Sequence, residues 1–135
     1  MVGVSKIVVD ASILLAVILE EPEKPSLLAI TEGATLLAPG CLKWEIGNAF
    51  SAMLKRGRLN IGEVQKGLSI YGMIPIQEAE VVHQSALELC DRHKIYAYDA
   101  YYMELAKRRS IALLTLDQRM ATVAKLENID VKGDL

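Results

Sequence analysis

The chain has 135 residues, 52% of them hydrophobic and 5% aromatic, which is the size of one domain and enough apolar surface for a sizeable core. Disordered, fibrous and collagen-like polymers are excluded. Fifteen Lys and Arg stand against 17 Asp and Glu, a net charge of −2, so a polyanionic partner must be held by local basic patches rather than by a global field.

Short β-branched or leucine-rich runs alternate with segments of helical period, the mark of an α/β domain with a parallel sheet of about five strands. The first strand, Lys6 to Asp10, is apolar on both faces until its final carboxylate, as a central strand covered by helices must be. Ser12 can cap the helix that follows, over residues 13–21. The apolar stretch here is broken by Asp10 and Ser12. Its longest run, Ile13 to Leu19, falls far short of the ~20 residues of a membrane span and makes a poor signal peptide. Pro22 and Pro25 break the helix before another short one opens near Ser26.

The second strand, Thr35 to Ala38, is stopped by Pro39 and Gly40. Leu42, Ile46, Ala49, Phe50, Met53 and Leu54 recur at helical spacing, which predicts a helix from Leu42 to Arg58 with Gly57 as its stop. Further helices are expected at about 62–72, 79–93, 99–109 and 118–127. Between them fall strands at Ile74 to Gln77, which Pro75 puts at an edge, at Ile111 to Thr115, and more weakly at Ile129 to Val131. Residues 1–135 are read as one domain. Cys41 and Cys90, widely separated, build neither a disulfide framework nor a zinc ribbon, so a cytoplasmic protein without a membrane segment is expected.

Four carboxylates stand out. Asp10 ends a buried strand, where an ionised group is costly unless it emerges at the carboxyl edge of the sheet or meets a cation. Asp117 follows the strand ending at Thr115 in the same way, and both lie in the crevice where open α/β sheets bind ligands. Taken singly, each is as well explained as a cap of the next turn or helix. Glu45 shares a helix face with Asn48 on the apolar side, where polar groups need company. Asp99 stands at a helix entry and on its own reads equally as an N-cap. Four acids from four segments converge only around positive charge. With no His or Cys among them, a hard cation, Mg²⁺ or Mn²⁺, fits better than zinc and points to phosphoryl transfer or phosphodiester cleavage.

The segments KIVVDASILLAVILEEPE, LAPGCLKWEIGNAF and YAYDAYYMELAKRRSIALLTLDQRMATVA, in this order, are similar to those of PIN-domain ribonucleases, in particular the VapC type of toxin from prokaryotic toxin–antitoxin pairs. The resemblance implies a single-domain α/β/α sandwich with a parallel sheet of order 3-2-1-4-5. It implies metal-binding, catalytic roles for Asp10, Glu45, Asp99 and Asp117, with Ser12, Asn48 and Thr115 in support. It also implies an RNA substrate cut to 5′-phosphate and 3′-hydroxyl ends, a homodimer, and a small VapB-like antitoxin as partner. The apolar helices after Asp10 and around Tyr98 to Met103 are the expected dimer elements, although their stripes, Tyr101 and Tyr102 included, serve equally as core.

Other residues carry less. Lys55, Arg56 and Arg58, and Lys107, Arg108 and Arg109, lie in last turns of predicted helices, where dipole compensation or a solvated face is a commoner explanation than RNA contact. Arg119, closer to the crevice, is the better candidate for substrate contact. Trp44 reads most simply as core, and His83, Cys90 and His93 make no metal set. Two rival readings stand beside the nuclease. A phosphatase of the haloacid dehalogenase type needs a second Asp where this chain has Ser12, and a non-catalytic RNA- or protein-binding module has no need of all four acids.

Overall fold

The computed structural model describes residues 5–133. Its strands are β1 (Lys6–Val9), β2 (Thr35–Ala38), β3 (Ile76–Glu78) and β4 (Ala112–Leu114). Its helices are α1 (Ala11–Ile18), α2 (Lys24–Thr31), α3 (Leu42–Lys55), α4 (Ile61–Met73), α5 (His83–His93), α6 (Ala97–Arg109) and α7 (Gln118–Leu126). The sheet runs β3-β2-β1-β4 with every pairing parallel, and Ile7 stands between Leu36 and Ala112. Five strands are expected from the sequence; among the described residues four form ladders. The fifth is a single parallel bridge from Val131 to Leu113, closed by Leu113 N–H on Asp130 O and Lys132 N–H on Leu113 O, both at 2.8 Å. Ile129 and Val131 are the only apolar residues there, too few to extend a buried ladder, yet the order 3-2-1-4-5 is kept.

Right-handed crossovers dictate the layers. The chain steps from β1 to β2 to β3 in one direction, so α1 to α4 cover one face; the return to β4 puts α5 and α6 on the other. Ile7, Val8 and Val9 are accordingly all buried, and form one core with Leu14, Leu37, Ile46, Phe50, Met103 and Leu113. The reversal of direction lies between β1 and β4, which leaves a crevice beyond their carboxyl ends.

Several boundaries move for local reasons. β1 stops at Val9 because Asp10 turns out of the ladder to become the N-cap of α1, accepting from Ile13 N–H, so Ser12 is not the cap. β3 starts after Pro75, which has no N–H for a ladder, and sits at the sheet edge as expected. α3 ends at Lys55, and Gly57 (φ 70°) takes the left-handed position, with Arg58 N–H reaching back to Met53 O at 2.9 Å. Trp44 is not core: it is 68% exposed, with Lys43 Nζ 5.1 Å from the ring centroid. Tyr102 and Met103, expected as core or interface, are core, whereas Tyr96 and Tyr98 are exposed. Among the described residues no helix is long and apolar enough to cross a membrane.

Two buried glutamates tie the second helical layer together. Glu127, 7% exposed at the end of α7, accepts from Arg92 (2.8 Å) and Lys107 (2.5 Å) and pairs with His93 Nε2 (2.5 Å), linking α5, α6 and α7. Burial pushes its carboxyl up, but hydrogen bonds from Lys107, His93 and Arg92 outweigh that and hold it at about 2, below the ordinary 4.5. Glu104, 3% exposed on α6, accepts from Val82 N–H (3.1 Å) and Arg108 Nε (2.7 Å), pinning the segment between β3 and α5. Lys107 and Arg108, weighed above as RNA contacts, are therefore engaged within the fold, while Lys55, Arg56 and Arg58 are exposed.

A depressed carboxyl stabilises the fold above its unfolded value and loses that effect as pH falls through the folded value. Glu127→Gln is expected to cost roughly 1–2 kcal/mol at pH 7, less than the full shift implies because Arg92 and Lys107 stand half in solvent. In urea denaturation, the gap between wild type and variant should close as pH falls from about 4.5 towards 2. Helix packing gives a second test. A Cβ at Gly67 would meet Phe50 Cζ at 2.8 Å and Ile18 Cγ2 at 3.3 Å, whereas one at Gly72 meets nothing within 4 Å. Gly67→Ala should therefore destabilise by about 1–2 kcal/mol, and Gly72→Ala should stabilise by about 0.5 kcal/mol, read in the same denaturation series.

Candidate functional site

The crevice is built on the ends of β1 and β4. Asp10, 5% exposed, leaves β1 in extended conformation and accepts three hydrogen bonds. Its Oδ1 takes Ser12 Oγ–H (2.5 Å) and Ile13 N–H (3.3 Å), and its Oδ2 takes Thr115 Oγ1–H (2.5 Å). The two hydroxyls are themselves anchored: Ser12 Oγ accepts Leu116 N–H from beyond β4, and Thr115 Oγ1 accepts Asp117 N–H in its own turn, each at 3.0 Å. One carboxylate and two hydroxyls thus lock the end of β1 to the end of β4. Asp117 itself is exposed and caps α7, accepting from Arg119 N–H (3.0 Å) and Met120 N–H (3.1 Å).

Glu45 and Asp99 come in from helix starts. Glu45, in the first turn of α3, is half-buried and accepts the Tyr102 hydroxyl and, at 3.4 Å, the Cys41 thiol. Asp99 lies in the first turn of α6 and is half-buried; Tyr96 is the N-cap of that helix, so Asp99 is not. Tyr102 is one helical turn beyond Asp99, on the same face, and thereby joins α6 to α3. Tyr102, expected as core or interface, carries in this bond to Glu45 a role that the sequence analysis does not anticipate. Its available signal was the spacing Asp99, Tyr102 on a helix whose buried tyrosine hydroxyl must find a partner.

Burial raises the carboxyl of Asp10 first, against the lowering hydrogen bonds from Ser12, Thr115 and Ile13, and the charge of Asp117 raises it further. Glu45 is raised by burial and then by Asp10 and Asp99, against the bonds from Tyr102 and Cys41. Asp99 is raised by burial, Asp117 and Asp10, and Arg119 is the cation that opposes them. Burial and the charge of Glu45 push the Cys41 thiol up to about 12, so it is no thiolate ligand. Tyr102 is likewise pushed up by burial and Glu45 and stays a donor.

All four predicted acids therefore lie in one electrostatic field at the reversal point of the sheet. Ser12 and Thr115 are brought to them as hydroxyl donors, and Arg119 as an exposed counter-charge. Asn48 is not: it is exposed on α3, and no side-chain bond joins it to the acids. Among the described residues no group of three or more His, Cys, Asp or Glu is arranged to hold a metal ion as the side chains lie. The donor chemistry nevertheless fits a hard cation. Every donor is oxygen, the excess charge is negative, and burial together with neighbouring acids raises the carboxyls of Asp10, Glu45 and Asp99.

A family model described as PIN domain matches residues 7–126, which spans every element that carries the site. Ribonuclease VapC9 of Mycobacterium tuberculosis is 28% identical over 121 residues, 90% of this chain and 93% of the relative. Among solved structures, PAE2754 from Pyrobaculum aerophilum superimposes with a TM-score of 0.65 at 21% identity, covering 90% of this chain and 87% of the other. VapBC2 from Rickettsia felis, bound to a DNA fragment from its promoter, superimposes with a TM-score of 0.66 at 14% identity, covering 94% and 97%. These two likenesses show the same fold at low identity. With the parallel sheet, its 3-2-1-4 order and the family match over most of its length, the chain belongs to the PIN domain family.

Proposed function

We propose that this protein is a metal-dependent ribonuclease and the toxin of a toxin–antitoxin pair. The observation that carries the nuclease reading is the concentration of Asp10, Glu45, Asp99 and Asp117, from four separate elements, in one field at the sheet's reversal point. The VapC name of its relatives supports the substrate class. Asp10 and Asp99 are assigned as the principal ligands of Mg²⁺ or Mn²⁺, with Glu45 and Asp117 completing the set directly or through water. When bound, such a cation lowers the pKa of water and neutralises charge on the phosphoryl oxygens.

The chain's own residues supply the rest. Ser12 and Thr115 hold both oxygens of Asp10 in place, and Tyr102 holds Glu45. Glu45, raised by burial and by its acidic neighbours, is suited to accept a proton from the attacking water. In-line attack on phosphorus breaks the bond to O3′, which takes up a proton and leaves as the 3′-hydroxyl, while the phosphate stays on the 5′ side. Arg119 faces the phosphate. Asn48 is exposed one turn beyond Glu45, and its supporting role is proposed towards substrate rather than metal. Ser12, bonded to Asp10 and to Leu116 N–H, occupies the place where an aspartate-based phosphatase needs its second acid. As partners, a homodimer and a small VapB-like antitoxin are proposed, the antitoxin setting a basic side chain into the acidic crevice in the cation's stead. Exposed Tyr96 and Tyr98 offer apolar surface for either contact.

The test is Mg²⁺- or Mn²⁺-dependent cleavage of mixed RNA, run beside thermal melting. Asp10→Asn and Asp99→Asn should each lose cleavage by at least about 100-fold while remaining folded. Acids raised above their unfolded values cost nothing at low pH and destabilise as pH rises through the folded value. Without cation, Asp99→Asn should therefore melt at or above the wild-type temperature at pH 7, by up to about 1 kcal/mol in stability, and the difference should vanish below pH ~4. Saturating Mn²⁺ should stabilise the wild type, by roughly 2.7 kcal/mol at 100 times its dissociation constant, and the variant much less. Full activity in a folded Asp10→Asn protein would refute the assignment.

A further inference from the structure

A cavity of about 520 Å³ that the acid cluster does not use lies at the carboxyl ends of β2 and β3, next to that cluster. Its lining includes Gly40, Cys41, Glu78, Glu80, His83 and Tyr101. Cys41 belongs to both places, since its thiol bonds Glu45 Oε2 at 3.4 Å, so an occupant of the cavity lies one side chain away from a candidate catalytic acid.

The walls are held in place. Ala79 N–H extends the β3 ladder to Ala38 O at 3.0 Å, and the segment after it is pinned by Glu104 on Val82 N–H and by Arg108 on Glu80 O (2.7 Å). The opposite wall is aromatic. The rings of His83 and Tyr101 lie 5.9 Å apart at 49°, joined at 3.4 Å between Nε2 and the hydroxyl, and Tyr98 meets Tyr101 edge-on at 6.1 Å. At the mouth, Glu78 leans over Gly40, where a Cβ would stand 3.0 Å from its Oε1. Lys43 is 3.9 Å from the same oxygen, and the Glu78 side chain is mostly in solvent.

An aromatic wall takes a flat ring by stacking. Two carboxylates, Glu78 and Glu80, repel a phosphate but accept N–H donors, so the edge they favour is that of a base carrying an amino group. We propose that this cavity is a nucleobase subsite that takes a guanine, adenine or cytosine flanking the scissile phosphate, stacked on Tyr101 and read by Glu78. Uracil is disfavoured, because its single N3–H donor lies between two carbonyl oxygens that a carboxylate repels. The inference rests on the ribonuclease reading, which puts the phosphate at the acids and a neighbouring base at the cavity. It names a preference at one nucleotide.

The experiment is an NMR titration of ¹⁵N-labelled protein with trinucleotides whose linkages carry CH₂ in place of O3′, so that the bond the proposed reaction breaks is an inert P–C bond, differing only in one base and measured with Mg²⁺ present. Oligonucleotides carrying G, A or C should shift the resonances of His83 and Tyr101 and bind several-fold more tightly than the uracil version. Tyr101→Ala should weaken binding about tenfold, the loss of one stacked base, and Tyr101→Phe should not. Glu78→Gln should erase the discrimination against uracil, and Gly40→Ala, which crowds the same carboxylate, should reduce it. Melting curves confirm that each variant is folded. Equal binding of all four bases, or shifts at His83 and Tyr101 with a protein partner and with no oligonucleotide, would overturn the proposal. Base-selective binding here by a protein that cleaves no RNA would leave the subsite standing and remove the nuclease reading.

Discussion

The architecture depends on a carboxylate buried at the end of the central strand. Asp10 sits where β1 must stop, with both oxygens occupied by hydroxyls and an amide from the turn that follows and from the end of β4. Leaving such a group unpartnered costs several kcal/mol, so Ser12 and Thr115 are required by Asp10 as much as they position it. The same bonds determine how β1 and β4 end relative to each other, and that junction is where the crossover direction reverses. A cap for α1, a strap between strands and a candidate ligand are one side chain.

The other acids follow from that placement. α3 and α6 each start near the carboxyl edge, and a helix start tolerates negative charge, so Glu45 and Asp99 can face the crevice from two sides. What they cannot do is neutralise one another. Burial and mutual repulsion raise three of the carboxyls, and Arg119 is the cation opposing them at Asp99. Stability given up here is recovered in the second helical layer, where Glu127 gathers Arg92, His93 and Lys107 and Glu104 holds Arg108. Those pairs account for basic residues that a reading of charge runs alone would assign to RNA.

The sequence made most of this legible because its periodicities were unambiguous. The uninterrupted apolar run before Asp10 marked a central strand, and Pro75 marked an edge. Strand ends were the weak point: Asp10 and Glu78 lie one residue off the expected boundaries, since a strand's last residue is decided by what its side chain bonds. The fifth strand shrank to a bridge because two apolar residues cannot sustain a ladder. Trp44 was misread because helical periodicity locates a stripe but not its edge, and the residue before Glu45 falls just outside it. Asn48 is exposed for the same reason. The Tyr102 bond to Glu45 was hidden because it joins residues from two elements whose approach only the fold decides.

The central claim is that the carboxylates at the end of β1 gather a divalent cation. Crystals soaked in Mn²⁺ and measured at the manganese absorption edge test it directly. An anomalous peak is expected in the crevice, bound by Asp10 and Asp99 with Glu45 and Asp117 at its rim, and no such peak in Asp10→Asn crystals. A wild-type protein that cleaves RNA with Mn²⁺ present yet shows no manganese at Asp10, or holds it at some other place, would contradict the account.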